Sequence, residues 1–136
     1  MTAKNMAKII IASGPVIVED GKVLLNQHGD TTFWKFCGGR VEDFDIDLIE
    51  TARREVKEEM GIDIEIINPE PFFTYAKKET MEGDCDVILV HYLAKRVGEV
   101  KPGNDIRKWD WLPIQGIETQ DLAPNILPAL KHFNLI

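Results

Sequence analysis

The sequence predicts a single domain of the α/β (α+β) class. Short apolar runs rich in β-branched residues, each bounded by turn residues, recur on both sides of one long amphipathic segment. That segment, Leu48 to Met60, repeats its apolar side chains at helical spacing, and a second helical pattern closes the chain after Asn125. The 136 residues, 44% of them hydrophobic, match one domain with a full core. No repeat or low-complexity linker divides them, so residues 1–136 are expected to form one unit, with 1–7 as a flexible tail.

Ile9 to Val18 and Lys22 to Gln27 predict two strands joined by a turn at Glu19-Asp20-Gly21, with Val23, Leu24 and Leu25 buried. Thr32 to Phe36 predicts a further apolar strand that runs into Gly38-Gly39, with Trp34 and Phe36 in the core. The helix follows. Leu48, Ile49, Ala52, Val56 and Met60 fall in one sector at about 100° per residue. Asp47 is placed to cap the free amides, Glu50 three residues on completes a capping-box-like pair, and Gly61 ends the helix.

Beyond it, Ile64 to Ile67 and Phe72 to Lys77 predict strands, and Lys78 to Asp86 a polar turn. Asp86 to Lys95 predicts a central strand buried on both faces. His91 within it is expected to be a pocket wall or a satisfied core residue. Lys101 to Arg107 predicts a loop, Trp109 to Pro113 the last strand, and Asn125 the cap of the final helix, with Pro128 tolerated in its first turn.

Bulk charge narrows the partners. A net charge of −7 argues against a nucleic-acid polymer, which requires a basic surface. Cys37 and Cys85 are too few for a disulfide framework and stand in no CxxC pair. They read as packed thiols in a reducing, cytoplasmic setting. The apolar run after Lys8 is broken by Gly14-Pro15 and followed by no cleavage site, and no stretch is long enough to span a membrane.

The chemistry concentrates on the helix. Glu55, Glu58 and Glu59 stand at i, i+3 and i+4, three carboxylates within one turn beside the apolar sector. Such repulsion costs stability unless a hard divalent cation, Mg²⁺ or Mn²⁺, occupies the cluster. Gly38-Gly39 lets the backbone approach a ligand where a side chain would block it.

These residues carry a resemblance. Gly38-Gly39-Arg40-Val41-Glu42, followed by Arg54-Glu55-Val56-Lys57-Glu58-Glu59-Met60-Gly61-Ile62, resembles the Nudix box: Gly, five residues, Glu, seven residues, then Arg-Glu-U-x-Glu-Glu-x-Gly-U, with U aliphatic. The second half matches at every defined position. The first half departs: counted forward from Gly39 the first Glu falls on Asp45, counted back from Arg54 it falls on Ile46, so one residue is inserted. The carboxylate that holds the box arginine is then to be sought among Asp45, Asp47 and Glu50.

The resemblance implies an α/β/α sandwich with a mixed β-sheet, the box helix on one side and the C-terminal helix on the other. It implies Mg²⁺-dependent (or Mn²⁺-dependent) hydrolysis of a nucleoside diphosphate linked to another moiety. A MutT-like nucleoside triphosphate pyrophosphatase is the first expectation; the alternatives are a nucleotide-sugar or dinucleotide pyrophosphatase, or a catalytically silent nucleotide-binding domain. The expected metal ligands are Gly39 through its carbonyl, Glu55, Glu58, Glu59 and, from the loop before the tryptophan strand, Asp105. Glu55 or Glu58 is the expected proton acceptor and Arg54 the residue that holds the carboxylates in place. Asn125, Arg40 and His28 are the candidate substrate contacts, with N-capping as the competing role for Asn125. Some members complete their pockets across a dimer, so a homodimer is compatible with the resemblance.

Overall fold

The computed structural model describes residues 8–81 and 83–136; the tail expected over residues 1–7 lies outside the described residues. Along the chain run β1 (Lys8–Glu19), β2 (Lys22–His28), β3 (Gly39–Arg40), α1 (Leu48–Met60), β4 (Asp63–Ile66), β5 (Phe72–Thr80), β6 (Gly83–Val97), β7 (Ile106–Pro113) and α2 (Ile126–His132), with a 3-10 turn at Ile117–Thr119.

The β1–β2 hairpin turns where the sequence predicts. Asp20 and Gly21 both take positive φ, +50° and +73°, the handedness that matches strand twist in a two-residue turn. From there the sheet is mixed. β1 lies parallel to β6 from Lys8↔Cys85 to Ile17↔Ala94, while β2 pairs antiparallel with β7. The strand order is β4-β6-β1-β2-β7, with β5 also on β6 and β3 on β1.

Alternation along the strands divides the core in two. Ile17 and Leu24 join Ala52, Val56 and Met60 of α1 on one face, whereas Val16, Val23 and Leu25 join Ile126, Ala129 and Leu130 of α2 on the other. The sheet is therefore sandwiched between two helices, the layering that the resemblance implies. Asp47 Oδ1 accepts from the Glu50 amide at 2.7 Å, and Gly61, at φ +68°, caps the other end of α1 through the Lys57 carbonyl.

Two expectations are corrected. Thr32 to Phe36 forms no continuous strand. Lys35 exchanges backbone bonds with Asn26, while Trp34 pairs with Asp121 and Ala123, so neighbouring residues bond to different partners and no single ladder runs through. Trp34 and Phe36 are nevertheless buried, as expected. Lys78 to Asp86 is no loop either, because β5 and β6 continue their ladder to Thr80↔Gly83. Apart from Cys85, which is buried, the described residues of this stretch are mostly exposed, and charged residues suit an exposed strand. Tyr75 and Lys77 both bond Asp86 across it, at 2.7 and 3.2 Å.

Candidate active site

The glycine turn is built by close backbone packing. A Cβ on Gly14 would lie 1.9 Å from the Cys37 carbonyl oxygen, and one on Gly38 (φ +146°) would lie 2.8 Å from that of Ser13. The turn thus packs directly on β1, and β3 completes the attachment by pairing Gly39 with Ser13. It also touches α1. The Gly38 amide donates to Glu59 Oε1 at 2.8 Å, and a Cβ on Gly39 would come within 2.3 Å of Glu55 Cδ.

Arg54 organises the carboxylates. Its Nε and Nη2 donate to Asp45 Oδ1 and Oδ2 at 3.0 and 2.9 Å in a two-pronged pair. Nη1 reaches Glu55 at 3.1 Å and Glu58 at 3.5 Å, and Nη2 also meets the Arg40 carbonyl at 3.0 Å. Of the three candidates for the carboxylate that holds the box arginine, the structure selects Asp45. The Arg54 guanidinium, with the Thr51 hydroxyl and the Glu42 amide, holds its carboxyl well below the usual range. Asp47 is occupied as the helix cap. The inserted residue is absorbed between Asp45 and the helix, where Ile46 stands 85% exposed.

Glu59 is the unusual carboxylate. It is only 8% exposed, and burial, aided by the neighbouring charges of Glu55 and Glu58, pushes its pKa up to about 7 despite the Gly38 hydrogen bond. Burial also raises that of Glu55. Glu58 is open to solvent. His28 Nε2 lies 2.9 Å from Glu59 Oε2, fully buried yet with no aligned hydrogen bond. His28, Glu55, Glu58, Glu59 and Asp105, the loop acid expected from the resemblance, line one cavity of about 170 Å³.

A second cavity, about 560 Å³, opens on the other side of the glycine turn. Gly38 and Gly39 form one wall; Phe33, Lys35, Phe36, His91 and Asn125 contribute to the rest. Here the capping role expected of Asn125 fails. It occupies the N-cap position of α2 but makes no side-chain cap bond, and its Nδ2 instead lies 2.7 Å from His91 Nε2. His91 Nδ1 faces the Gly14 carbonyl at 3.4 Å. A carbonyl only accepts, so Nδ1 carries the proton and Nε2 accepts from Asn125. Burial lowers the His91 pKa to about 4 and keeps it neutral. His91 is both pocket wall and satisfied core residue. Arg40 lines neither cavity; its part in the site is the carbonyl that meets Arg54.

Sequence reasoning missed Lys35, which lines the second cavity and acts electrostatically on both His28 and Glu59. It missed the role of Gly14 as well, whose only local signal was its position beside Pro15. A larger concavity of about 710 Å³ lies around the β1–β2 turn and the C-terminal residues, away from this chemistry.

The donor set fits a hard divalent cation. Four carboxylates face the small cavity, ionised Glu59 is costly there without a counter-charge, and a buried imidazole nitrogen beside it has no aligned partner. Among the described residues no three side chains already converge as ligands. Arg54 draws Glu55 and Glu58 while Gly38 holds one Glu59 oxygen, so coordination requires carboxylates to turn away from these contacts.

The chain belongs to the Nudix family: the family model of the NUDIX domain matches residues 9–133. It is a Nudix hydrolase, of a family that acts on nucleoside diphosphate-linked substrates and generally uses divalent cations. The solution structure of the E. coli ORF135 protein superposes with a TM-score of 0.73 at 24% identity, over 93% of this chain and 89% of that one. The MutT protein from Bacillus halodurans gives 0.73 at 23% identity, over 91% and 81%. The NUDIX domain of Shewanella oneidensis NrtR, solved with ADP ribose, gives 0.68 at 18% identity, over 96% and 88%. At these identities the likeness speaks for the fold. No curated protein matches the chain, and no helix among the described residues is long and apolar enough to cross a membrane.

Proposed function

We propose that the protein is a Mg²⁺-dependent nucleoside triphosphate pyrophosphohydrolase, able to use Mn²⁺, that releases a nucleoside monophosphate and pyrophosphate. One observation carries the reading. The Gly38-Gly39 turn is shared between a cavity of nucleoside size and the acidic cluster, walling the first and contacting Glu59 and Glu55 of the second. A nucleotide whose base sits by Asn125 therefore lays its phosphates across the turn toward the carboxylates.

Glu55, Glu58, Glu59 and Asp105, with the Gly39 carbonyl, are the groups that would hold the cation. When bound, it neutralises phosphate oxygens and orients the attacking water. Glu55 accepts the water proton, its basicity raised by burial and its carboxylate steadied by one contact from Arg54. The water oxygen bonds to phosphorus at the α–β anhydride, the bridging P–O bond breaks, and its electron pair leaves on the departing phosphate oxygen. Phe33 and Phe36 give the base apolar contact, and Lys35 meets phosphate charge. The reducing, cytoplasmic setting read from Cys37 and Cys85 is consistent with both thiols being free and buried.

A nucleotide-sugar or dinucleotide pyrophosphatase is the second reading. In its favour, Lys77 and Lys78 also line the 560 Å³ cavity and offer charge for a further anionic group. The test is turnover against nucleoside triphosphates, oxidised purine nucleotides, nucleotide sugars and dinucleotides with Mg²⁺ or Mn²⁺, all products resolved and Glu59→Gln run in parallel. Metal-dependent monophosphate and pyrophosphate, absent in the variant, is the expected result. Binding of a nucleotide with no turnover would replace the enzyme by a silent sensor.

A further inference from the structure

We propose that His28 is a ligand of the cation site, giving it one nitrogen among oxygens and a preference for a first-row transition ion over Mg²⁺. This rests on the cation-dependent reading of the acidic cavity above and goes beyond it, since Mg²⁺ chemistry at that cavity needs oxygen donors alone.

Three features place the imidazole there. The first is its aim. The β2–β7 ladder shifts register between Gln27 and His28, so that Gln27 faces Lys108 and His28 faces Ile106 with Arg107 left over. Such a bulge redirects the side chain beside it. The second is fixation. Thr31 clamps the His28 backbone, its hydroxyl accepting from the His28 amide at 3.1 Å and donating to the carbonyl at 2.8 Å, while the Thr31 amide meets the same carbonyl at 2.8 Å. The third is spacing. Two neighbouring ligands on an octahedral ion with bonds of about 2.1 Å stand about 3.0 Å apart, and His28 Nε2 stands 2.9 Å from Glu59 Oε2.

The contact does not behave as an ordinary ion pair. A protonated imidazole would point its N–H along the short line to the carboxylate, yet Nε2 is buried with no aligned hydrogen bond. Glu59 keeps its other oxygen on the Gly38 amide, which leaves Oε2 and Nε2 together as an edge for a cation to bridge. Glu55, Glu58 and Asp105 face the same cavity and supply further oxygens. Imidazole suits first-row transition ions, whereas Mg²⁺ favours oxygen.

The experiment is Mn²⁺ binding to the full chain, read by calorimetry and by pulsed electron paramagnetic resonance, with Mg²⁺ in competition. Wild type, His28→Gln and Glu59→Gln are compared. The expected wild-type result is Mn²⁺ affinity at least about tenfold above that for Mg²⁺, with nitrogen hyperfine coupling on the bound ion. His28→Gln keeps an oxygen donor in place; it should abolish the coupling and remove most of the Mn²⁺ advantage while Mg²⁺ still binds. Bound Mn²⁺ with no nitrogen coupling in the wild type overturns the proposal and leaves the cation-dependent function standing. If neither ion binds the wild type, the cation-dependent reading falls, and His28 as a ligand falls with it. Because the coupling is read on the wild type, a poorly folded variant leaves the question answerable.

Discussion

Glu59→Gln should make the cation-free protein more stable while removing its chemistry. Ionised Glu59 is buried beside Glu55 and Glu58, and its pKa of about 7 stands well above the 4.5 of a free glutamate. The folded chain thus binds a proton on Glu59 more tightly than the unfolded chain does. Stability falls as pH rises through the window from about 4.5 to 7, and above it ionised Glu59 costs about 3 kcal/mol. Glutamine removes the charge and keeps an oxygen for the Gly38 amide. At pH 8 in EDTA the variant should gain roughly 2–3 kcal/mol, a rise of about 10 °C in Tm for a domain of this size. Between pH 5 and 8 it should lose less stability than the wild type. With Mn²⁺ added, the order should reverse, because only the wild type gains from binding. The assay is a thermal melt across pH, with and without cation. A variant less stable than wild type at pH 8 in EDTA would refute the reasoning, since Glu59 would then be held by favourable contacts rather than strained by burial.

Four further outcomes follow from the geometry. Gly14→Ala should cost about 3 kcal/mol or more in chemical denaturation, because its Cβ meets the Cys37 carbonyl at 1.9 Å and backbone cannot swing aside. Gly39→Ala meets only the tip of the Glu55 side chain; stability should change by about 1 kcal/mol or less while turnover falls at least about tenfold. Asp45→Ala frees Arg54 to pair more fully with Glu55 and Glu58, so the cation concentration for half-maximal turnover should rise about 10- to 100-fold. His91 acts on stability in acid: the unfolded chain takes up a proton near pH 6.5 that the folded chain refuses until about pH 4. Stability should therefore fall by up to about 3 kcal/mol as pH drops through that window, and His91→Gln should flatten this limb of the denaturation profile.

How much of this was legible in the sequence depends on the distance over which each feature is encoded. Helix α1 was legible to the residue, since its cap, its stop and its apolar sector are all local. The carboxylates came with it, because one helical turn fixes their proximity whatever the rest of the chain does. The partner of Arg54 was only half legible. Counting along the chain left Asp45, Asp47 and Glu50 in contention, and the tertiary turn that ties Asp45 to Glu42 and Thr51 decided among them. The pairs His28–Glu59 and His91–Asn125 were not legible at all. They join positions 31 and 34 residues apart, and they depend on the register of β1 on β6 and the bulge after Gln27, which no local pattern announces. The charged β5–β6 ribbon misled for a related reason: polarity signals exposure, and an exposed ladder is as polar as a loop.

The arrangement explains why a self-repelling cluster is tolerated. One guanidinium is shared among Asp45, Glu55 and Glu58, with its best geometry spent on Asp45, the one carboxylate of the three that lines no cavity. Arg54 is thereby anchored from outside the cluster, at an angle that gives Glu55 one bond and Glu58 a long one. Such weak contacts steady the carboxylates without saturating them, and a cation can draw them away at low cost. A cluster fully neutralised by internal pairs would be more stable and would have nothing left to bind with. Glu59 makes no bond to that arginine and is met instead by the Gly38 amide and by His28 Nε2 at 2.9 Å, so the most buried of the three helix carboxylates stands beside the glycine turn, where the phosphates of the proposed nucleotide would arrive from the 560 Å³ cavity.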